Sequence, residues 1–307
     1  MTKNKKVLSL LNIGMIISLG GMSANSYAET KFTPKFEIGS GSYELELTRP
    51  TQQGGNITEE SYVVETAEAT FMTYAIGGAF SFDQFMIDVT YKGSASGTQD
   101  YANGSDLCGT GEDACGIYGE NDGDFSHSEL AFTLGYQIDS FVLYAGYHMG
   151  ETTFDHNFTY ILEEDNIWSD PNFGDVTMDW FGVEVDRAQL TNETTGFFLG
   201  GAYGFPIGES GSISLAAGYS IFDVDVKEIW EWDGVSSFSS GEGAGMSLAA
   251  TYNYHLEDGR VYVKFDFQSY TQDSFSNYTY DNGDPESEFA PDDSNENFYR
   301  FSVGYSF

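Results

Sequence analysis

The feature that most constrains the fold is an alternation of apolar and polar residues that recurs along most of the chain. Aromatic and β-branched side chains fill many of the alternate positions, and a period of two predicts β-strands with one apolar face. The alternation predicts ten strands, at residues 36–48, 72–80, 85–91, 130–138, 141–149, 197–205, 213–221, 246–254, 261–267 and 298–307.

The connections between these strands are short and long in strict alternation. The short connections are tight turns at residues 83–84, 139–140, 206–211 and 256–259. The long connections are residues 49–67, 96–125, 152–192, 223–242 and 273–296. The pattern predicts an all-β fold, a closed antiparallel up-and-down transmembrane β-barrel of about ten strands, with short periplasmic turns and long extracellular loops, five in all.

Two stretches depart from simple alternation. In the first strand, residues 39–42 read Gly-Ser-Gly-Ser, and we expect a β-bulge there that shifts the register. After Ile221 the pattern inverts, because Asp223 and Asp225 take the outward positions while two valines turn inward. The inversion predicts that the membrane ends near residue 222 and that the strands continue above it.

The N-terminal region has the pattern of a secretory signal peptide. Three lysines precede an apolar run over residues 7–20, and small and polar residues follow up to Ala28. The run is shorter than the roughly 20 apolar residues of a spanning helix. We therefore expect residues 1–28 to be a cleaved signal and residues 29–307 to form the barrel domain.

The last ten residues, FYRFSVGYSF, place aromatic or apolar side chains at alternate positions. Phe301, Val303, Tyr305 and the terminal Phe307 resemble the C-terminal signature of Gram-negative outer-membrane β-barrel proteins. That resemblance implies recognition by the barrel assembly machinery during biogenesis, a location in the bacterial outer membrane, and contact with its lipid and lipopolysaccharide.

The polar face of each strand is expected to line the barrel interior. A charge network around Arg300 is predicted there, since buried ions need partners. The predicted members are Glu44, Glu46, Asp88, Lys92, Lys264, Asp266 and Arg300. A filled interior and a narrow cation path, favoured by an excess of acid, are both compatible with this set.

Two cysteines lie in the second long loop, in the sequence CGTGEDAC. Cys108 and Cys115 are close in an exported chain, which predicts a local disulfide that stiffens the loop. The spacing is not the CxxC of a metal or redox pair, and no histidine is adjacent.

The long loops carry much of the acid of a chain whose net charge is −36. This charge should repel nucleic acid. Clustered carboxylates and glycines in two loops have the composition that Ca²⁺ favours, although neither loop completes an EF-hand. The candidate ligands are Asp122, Asp124, Asp281, Asp284 and Glu286. A solvated acidic surface is the simpler interpretation, so we expect no dedicated cofactor and no firm metal site.

All the tryptophans fall in the third and fourth long loops. They are Trp168, Trp180, Trp230 and Trp232. Such rings either pack the extracellular rim or form a recognition surface for an extracellular partner that the sequence does not identify.

Three functions are compatible with this barrel. The first is a non-enzymatic protein whose acidic loops contact a partner, cations or lipopolysaccharide. The second is a small, porin-like, cation-selective pore. The third is a surface protease, because ten strands with extracellular extensions look similar to the omptins, which use an Asp pair opposite an Asp-His pair. Asp223 and Asp225 offer two acids at the rim without a histidine, so the sequence favours the non-enzymatic reading.

Overall fold

The computed structural model describes nine stretches of the chain. They are residues 31–53, 56–102, 120–161, 167–170, 174–177, 183–230, 235–281, 284–289 and 293–307. The expected signal peptide and both cysteines lie outside these residues, so the signal and the disulfide stay predictions.

The described residues are almost entirely β-strand. The strands are β1 (Lys31–Gln53), β2 (Asn56–Phe82), β3 (Phe85–Ala102), β4 (Glu120–Ile138), β5 (Phe141–Ile161), β6 (Ile167–Asp170), β7 (Gly174–Thr177), β8 (Val183–Ile207), β9 (Gly211–Trp230), β10 (Val235–Leu256), β11 (Gly259–Asp281), β12 (Asp284–Phe289) and β13 (Asp293–Ser306). Three are short: β6 pairs only with β7, and β12 adds to the edge of β11.

The ten long strands form a closed antiparallel barrel. Each pairs with its neighbours in the chain, and the circle closes because β13 pairs with β1 on one side and β11 on the other. A closed barrel satisfies every backbone hydrogen-bonding group between strands, as a bilayer requires. The predicted fold class is confirmed.

Tight turns join strands at one end of the barrel. Asp83 and Asp139 start two-residue turns with φ angles of 54° and 53°, and Gly208 has a φ of 66° in a third turn. Aspartate and glycine are among the residues that adopt this left-handed conformation at low cost. The fourth turn, between β10 and β11, lies at residues 257–258 as predicted.

A belt of large apolar side chains surrounds the barrel on its outer face. These side chains are one-third or more exposed, and they include Phe36, Ile38, Met72, Ile76, Phe80, Leu134, Leu143, Phe197, Leu199, Ile221, Leu248, Phe265 and Phe301. Exposure of so many apolar side chains is unfavourable in water and favourable in lipid. Among the described residues, no helix is long and apolar enough to cross a membrane.

The C-terminal strand contributes to this belt as its sequence predicts. Phe301, Val303 and Phe307 are 52%, 43% and 62% exposed on the outer face, and Tyr305 is partly exposed beside them. Tyr305 and Phe307 pack edge to face, with ring centroids 4.7 Å apart.

The strands are much longer than a membrane requires. A tilted strand crosses with roughly 9–11 residues, whereas β2 has 27 and β8 has 25. Above the belt the outward side chains become polar. Asp223 and Asp225 are exposed while Val224 is buried, as the inversion after Ile221 predicts.

The predicted bulge in the first strand is wrong. The pairing of β1 with β2 and with β13 runs without a shift through residues 39–42, and the first irregularity in β1 follows Leu47. The strand keeps one register while its surroundings change, since Tyr43 and Leu45 point into the barrel above the belt.

Candidate functional site

The barrel interior at the level of the belt is occupied by charged side chains. They come from inward positions of β1, β3, β4, β11 and β13, and none is more than 4% exposed. We call this set the ion network; its members are Lys35, Glu37, Asp88, Lys92, Glu129, Lys264, Asp266 and Arg300. Four cations face four carboxylates, so the network is balanced in charge and has no excess of acid.

Arg300 on β13 joins opposite walls of the barrel. Its Nε donates to Asp266 Oδ1 at 2.9 Å, and its Nη1 donates to Glu129 Oε2 at 2.7 Å. Its Nη2 donates to the Gln268 side-chain oxygen at 2.6 Å. A guanidinium with three directed donors is suited to cross-link strands in this way.

The lysines complete the network around Arg300. Lys92 pairs with Glu129, and Lys264 lies 3.5 Å from an Asp266 oxygen and 3.9 Å from a Glu37 oxygen. The carboxylates therefore each share two or more partners, which offsets much of the cost of removing ions from water.

A second ion pair lies beside this group, towards the end of the barrel with the tight turns. Lys35 Nζ is 2.8 Å from both oxygens of Asp88, and the Thr90 hydroxyl donates to the same carboxylate at 2.6 Å. The Tyr262 hydroxyl donates to Glu37 at 2.9 Å. Lys35 and Glu37 were absent from the predicted network, although their alternation with Phe36 and Ile38 in β1 was a readable signal.

The structure brings together most of the predicted network but excludes two members. Asp88, Lys92, Lys264, Asp266 and Arg300 are buried in the interior.

Glu44 and Glu46 were expected in the interior, and that expectation is wrong. Both side chains are exposed on the outer face of β1, above the belt. The expectation followed from assigning the apolar face of β1 to lipid along its whole length. Above the belt the outer medium is water, so the acids face outward. The interior carboxylate that meets Arg300 is Glu129, from the opposite wall.

Above the ion network the interior is filled by an apolar cluster, which we call the aromatic plug. Its buried members come from β1, β2, β4, β5, β8 and β13, and are Tyr43, Leu45, Ala67, Ala69, Phe71, Phe125, Phe154, Leu190 and Phe298. The Tyr43 ring centroid is 4.5 Å from that of Phe298 and 5.3 Å from that of Phe154. Rings from opposite walls therefore meet in the middle of the barrel.

A small polar cavity lies beside the plug, next to Glu296. The cavity holds about 20 Å³, room for about one water molecule. Asn192 and Gln272 both donate to Glu296 Oε1, and no cation pairs with this carboxylate among the described residues. Glu296 lies above the belt, where its outward neighbours are Asn295 and Asn297. Burial raises the pKa of the Glu296 carboxyl to about 7.

The outer face just above the belt carries an acidic collar. Its carboxylates are Glu44, Glu68, Asp124, Glu151, Glu193, Asp223, Asp225 and Glu242. Several are directly opposite each other on paired strands: Glu44 faces Glu68, and Glu193 lies between Glu151 and Asp225. Partial burial, with repulsion from these two neighbours, raises the pKa of Glu193.

The candidate catalytic acids at the rim do not face a common groove. Asp223 and Asp225 point outward, while Phe222 and Val224 take the inward positions beside them. His127 and His148 are buried within the barrel and line the cavity next to Glu296. No histidine is brought to these acids in the part of the chain that the structure describes.

The structure does not test most of the candidate loop sites, because their side chains lie outside the described residues. Asp124 is exposed on β4, and the described residues contain no group of three or more His, Cys, Asp or Glu side chains placed to hold a metal ion. The side chains of Asp122, Asp281, Asp284 and Glu286 lie outside the described set. The same applies to Trp168, Trp180, Trp230 and Trp232.

No protein-family model matches the sequence, and no curated protein matches it. Among solved structures, the chain is similar to the outer membrane protease OmpT from Escherichia coli, with a TM-score of 0.60 and 15% identity over 92% of this chain and 99% of that one. A FadL homologue from Pseudomonas aeruginosa matches with a TM-score of 0.36 and 10% identity, over 90% of each chain. The translocator domain of the autotransporter NalP from Neisseria meningitidis matches with a TM-score of 0.32 and 10% identity, over 94% of this chain and 91% of that one.

At such low identity the likeness to OmpT shows the fold alone. The chain therefore has the fold of the bacterial outer-membrane β-barrels, and its apolar belt is suited to the hydrocarbon core of a membrane.

Proposed function

We propose that the protein is a non-enzymatic outer-membrane barrel with a closed interior, whose acidic surface contacts a partner, cations or lipopolysaccharide. The observation that carries this proposal is the filled interior. The ion network occupies the barrel at the level of the belt, and the aromatic plug occupies it above.

Paired ions and packed rings are poor linings for a pore. A cation path needs water and unpaired acid along its length. Here every carboxylate of the ion network has a cation within 4 Å, and the rings of the plug meet at van der Waals separations. Eight-stranded barrels are just filled by side chains, and ten strands lie close to that limit.

The rim geometry supports a non-enzymatic role. Omptin-type cleavage needs acids and a histidine that converge on one substrate. Asp223 and Asp225 are exposed on the outer wall, and the inward side chains beside them are apolar. A general base must lie within hydrogen-bond reach of the proton it removes.

The acidic collar supports a surface role. Carboxylates directly opposite each other across paired strands repel, and the repulsion is relieved by a bound cation or a basic partner. The collar lies where the lipid belt ends, so it adjoins the head-group region of the outer leaflet. The loops above it carry further acid.

Single-channel conductance in a planar bilayer tests this proposal, with a peptide-cleavage assay on the same refolded preparation. Heat-modifiable gel mobility shows that the barrel is folded. We expect no conductance steps and no cleavage. Reproducible cation-selective steps would establish the pore in place of the closed barrel. Cleavage that is lost in Asp223→Asn and Asp225→Asn would establish the protease.

A further inference from the structure

A groove crosses the lipid-facing wall where the first and last strands of the barrel meet. It has a volume of about 590 Å³ and lies over Ser40 and Ser42 of β1. Its apolar walls are Met72 of β2 on one side and Phe301 of β13 on the other. Volumes of roughly 300–1,000 Å³ are typical of sites for small organic ligands.

The groove follows from the register of three strands. Ser40 pairs with Phe301 on one side and with Met72 on the other, so a small side chain lies between two large ones. One step further up, Ser42 pairs with Tyr299 and Thr70. The large side chain of Ile38, below Ser40, ends the groove towards the middle of the belt.

One wall of the groove is built from packed aromatic rings. The Tyr299 ring packs against the ring of Phe267 on β11, with centroids 5.0 Å apart. Phe265 extends the same wall and is 49% exposed. The backbone of Gly41 forms the floor of the groove between Ser40 and Ser42, and a Cβ at this position would point inward, towards Phe71 and Arg300.

The surroundings of the groove indicate its occupant. The groove is continuous with the apolar belt, so hydrocarbon and not water is the medium that fills it. It opens at the extracellular end of the belt, below Glu44 and Glu68 of the acidic collar. This end faces the outer leaflet, whose lipid in an outer membrane is lipopolysaccharide.

We infer that the groove over Ser40 and Ser42 binds an acyl chain of lipid A. The chain lies between Met72 and Phe301, with the phosphorylated head group at the level of the collar. The inference deepens the lipopolysaccharide contact in the proposed function and rests on it.

Native mass spectrometry tests the inference on full-length protein extracted from outer membranes in a mild detergent with Mg²⁺. Ser40→Phe fills the groove with a ring that suits a lipid-facing position. Ala145→Phe is the matched control, because Ala145 is also an exposed small residue between two large neighbours, Leu134 and Leu199. Heat-modifiable mobility identifies folded protein, and Ser42→Leu is a second variant should Ser40→Phe not fold.

We expect the wild-type protein and Ala145→Phe to retain lipopolysaccharide equally. We expect Ser40→Phe to retain about tenfold less, which corresponds to a loss of about 1.4 kcal/mol of binding free energy. Equal retention by all three proteins would overturn the inference, and so would retention of phospholipid in place of lipopolysaccharide. Conductance is independent of this readout, so a failure here is distinguishable from a failure of the closed interior.

Discussion

The two levels of the barrel distribute the same residue types in opposite ways. Within the belt, apolar side chains face outward and ions face inward. Above it, carboxylates face outward and aromatic rings face inward. The alternation along each strand is the same at both levels, and only the outer medium changes. A period of two therefore identifies a strand, whereas the direction of the strand's apolar face depends on the medium outside the barrel.

The two levels also close the interior by different means. Ions in a low-dielectric interior are stable only when every charge has a partner. Packed rings need only complementary shape. A change that removes one ion should therefore affect the lower level strongly, and a change that removes one ring should affect the upper level to a similar or smaller extent.

The largest effect is expected for Arg300→Ala. The change leaves Asp266 and Glu129 with fewer cationic partners inside the barrel. The free energy of unfolding should fall by about 4 kcal/mol, measured by urea unfolding in lipid vesicles. Lys31→Ala is the control, because Lys31 is exposed at the start of β1 and its removal should cost less than about 0.5 kcal/mol. Equal losses in the two variants would mean that the interior is hydrated.

The next effect concerns the aromatic plug. Phe298 is 3% exposed within the plug, and Phe301, on the same strand, is 52% exposed towards lipid. Phe298→Ala opens a cavity and should lower the free energy of unfolding by about 3 kcal/mol. Phe301→Ala should cost clearly less in the same vesicles. If Phe301→Ala lowered the free energy of unfolding more than Phe298→Ala, contacts with lipid and not the plug would stabilise this strand.

The buried carboxyl of Glu296 should make the upper level sensitive to pH. Its pKa rises on folding from 4.5 to about 7, so the folded protein holds this proton more tightly than the unfolded chain. Stability contributed by the group is present below pH 4.5 and is lost as the pH rises to about 7. At pH 8, Glu296→Gln should be more stable than wild type by about 3 kcal/mol.

The advantage of Glu296→Gln should vanish at pH 4, as seen in urea unfolding curves at both pH values. His127, His148 and Tyr270 line the same cavity, and the difference between wild type and variant isolates the carboxyl from them. A stability difference that does not change with pH would show that Glu296 is hydrated.

The smallest effect is expected in the acidic collar. Glu44 is exposed and lies opposite Glu68, so Glu44→Gln should stabilise the barrel by about 0.2–1 kcal/mol. The gain should shrink as salt is added, because the repulsion is screened. The unfolding curves at low and high salt are compared for wild type and variant, so the salt dependence is the control. A loss of several kcal/mol of unfolding free energy would mean that the Glu44 side chain lies in the interior.

The sequence predicts the barrel because many local signals agree. Turns at Asp83 and Asp139 are short, polar and conformationally suited to left-handed φ angles. The outward face of β13 is apolar from Phe301 to Phe307. Each of these signals depends on neighbours in the chain, which is why they can be read without the fold.

The interior is only partly predictable because its contacts join distant strands. Period two places Lys264, Asp266 and Arg300 inside, but only the closed barrel brings Glu129 to Arg300. The inversion after Ile221 is readable because aspartates follow it. The same inversion at Tyr43 and Leu45 looks like a register shift in the sequence. Glycine and serine precede these residues, so neither face of the strand is marked as apolar there.

Thiol labelling tests the inversion most directly. In a background of Cys108→Ser and Cys115→Ser, single cysteines at Glu44 and Leu45 are exposed to a membrane-impermeant maleimide on intact cells. We expect Glu44→Cys to be labelled at least about tenfold faster than Leu45→Cys, because Glu44 is exposed and Leu45 is 6% exposed within the plug. Faster labelling of Leu45→Cys would contradict the inverted upper level and the closed interior that depends on it.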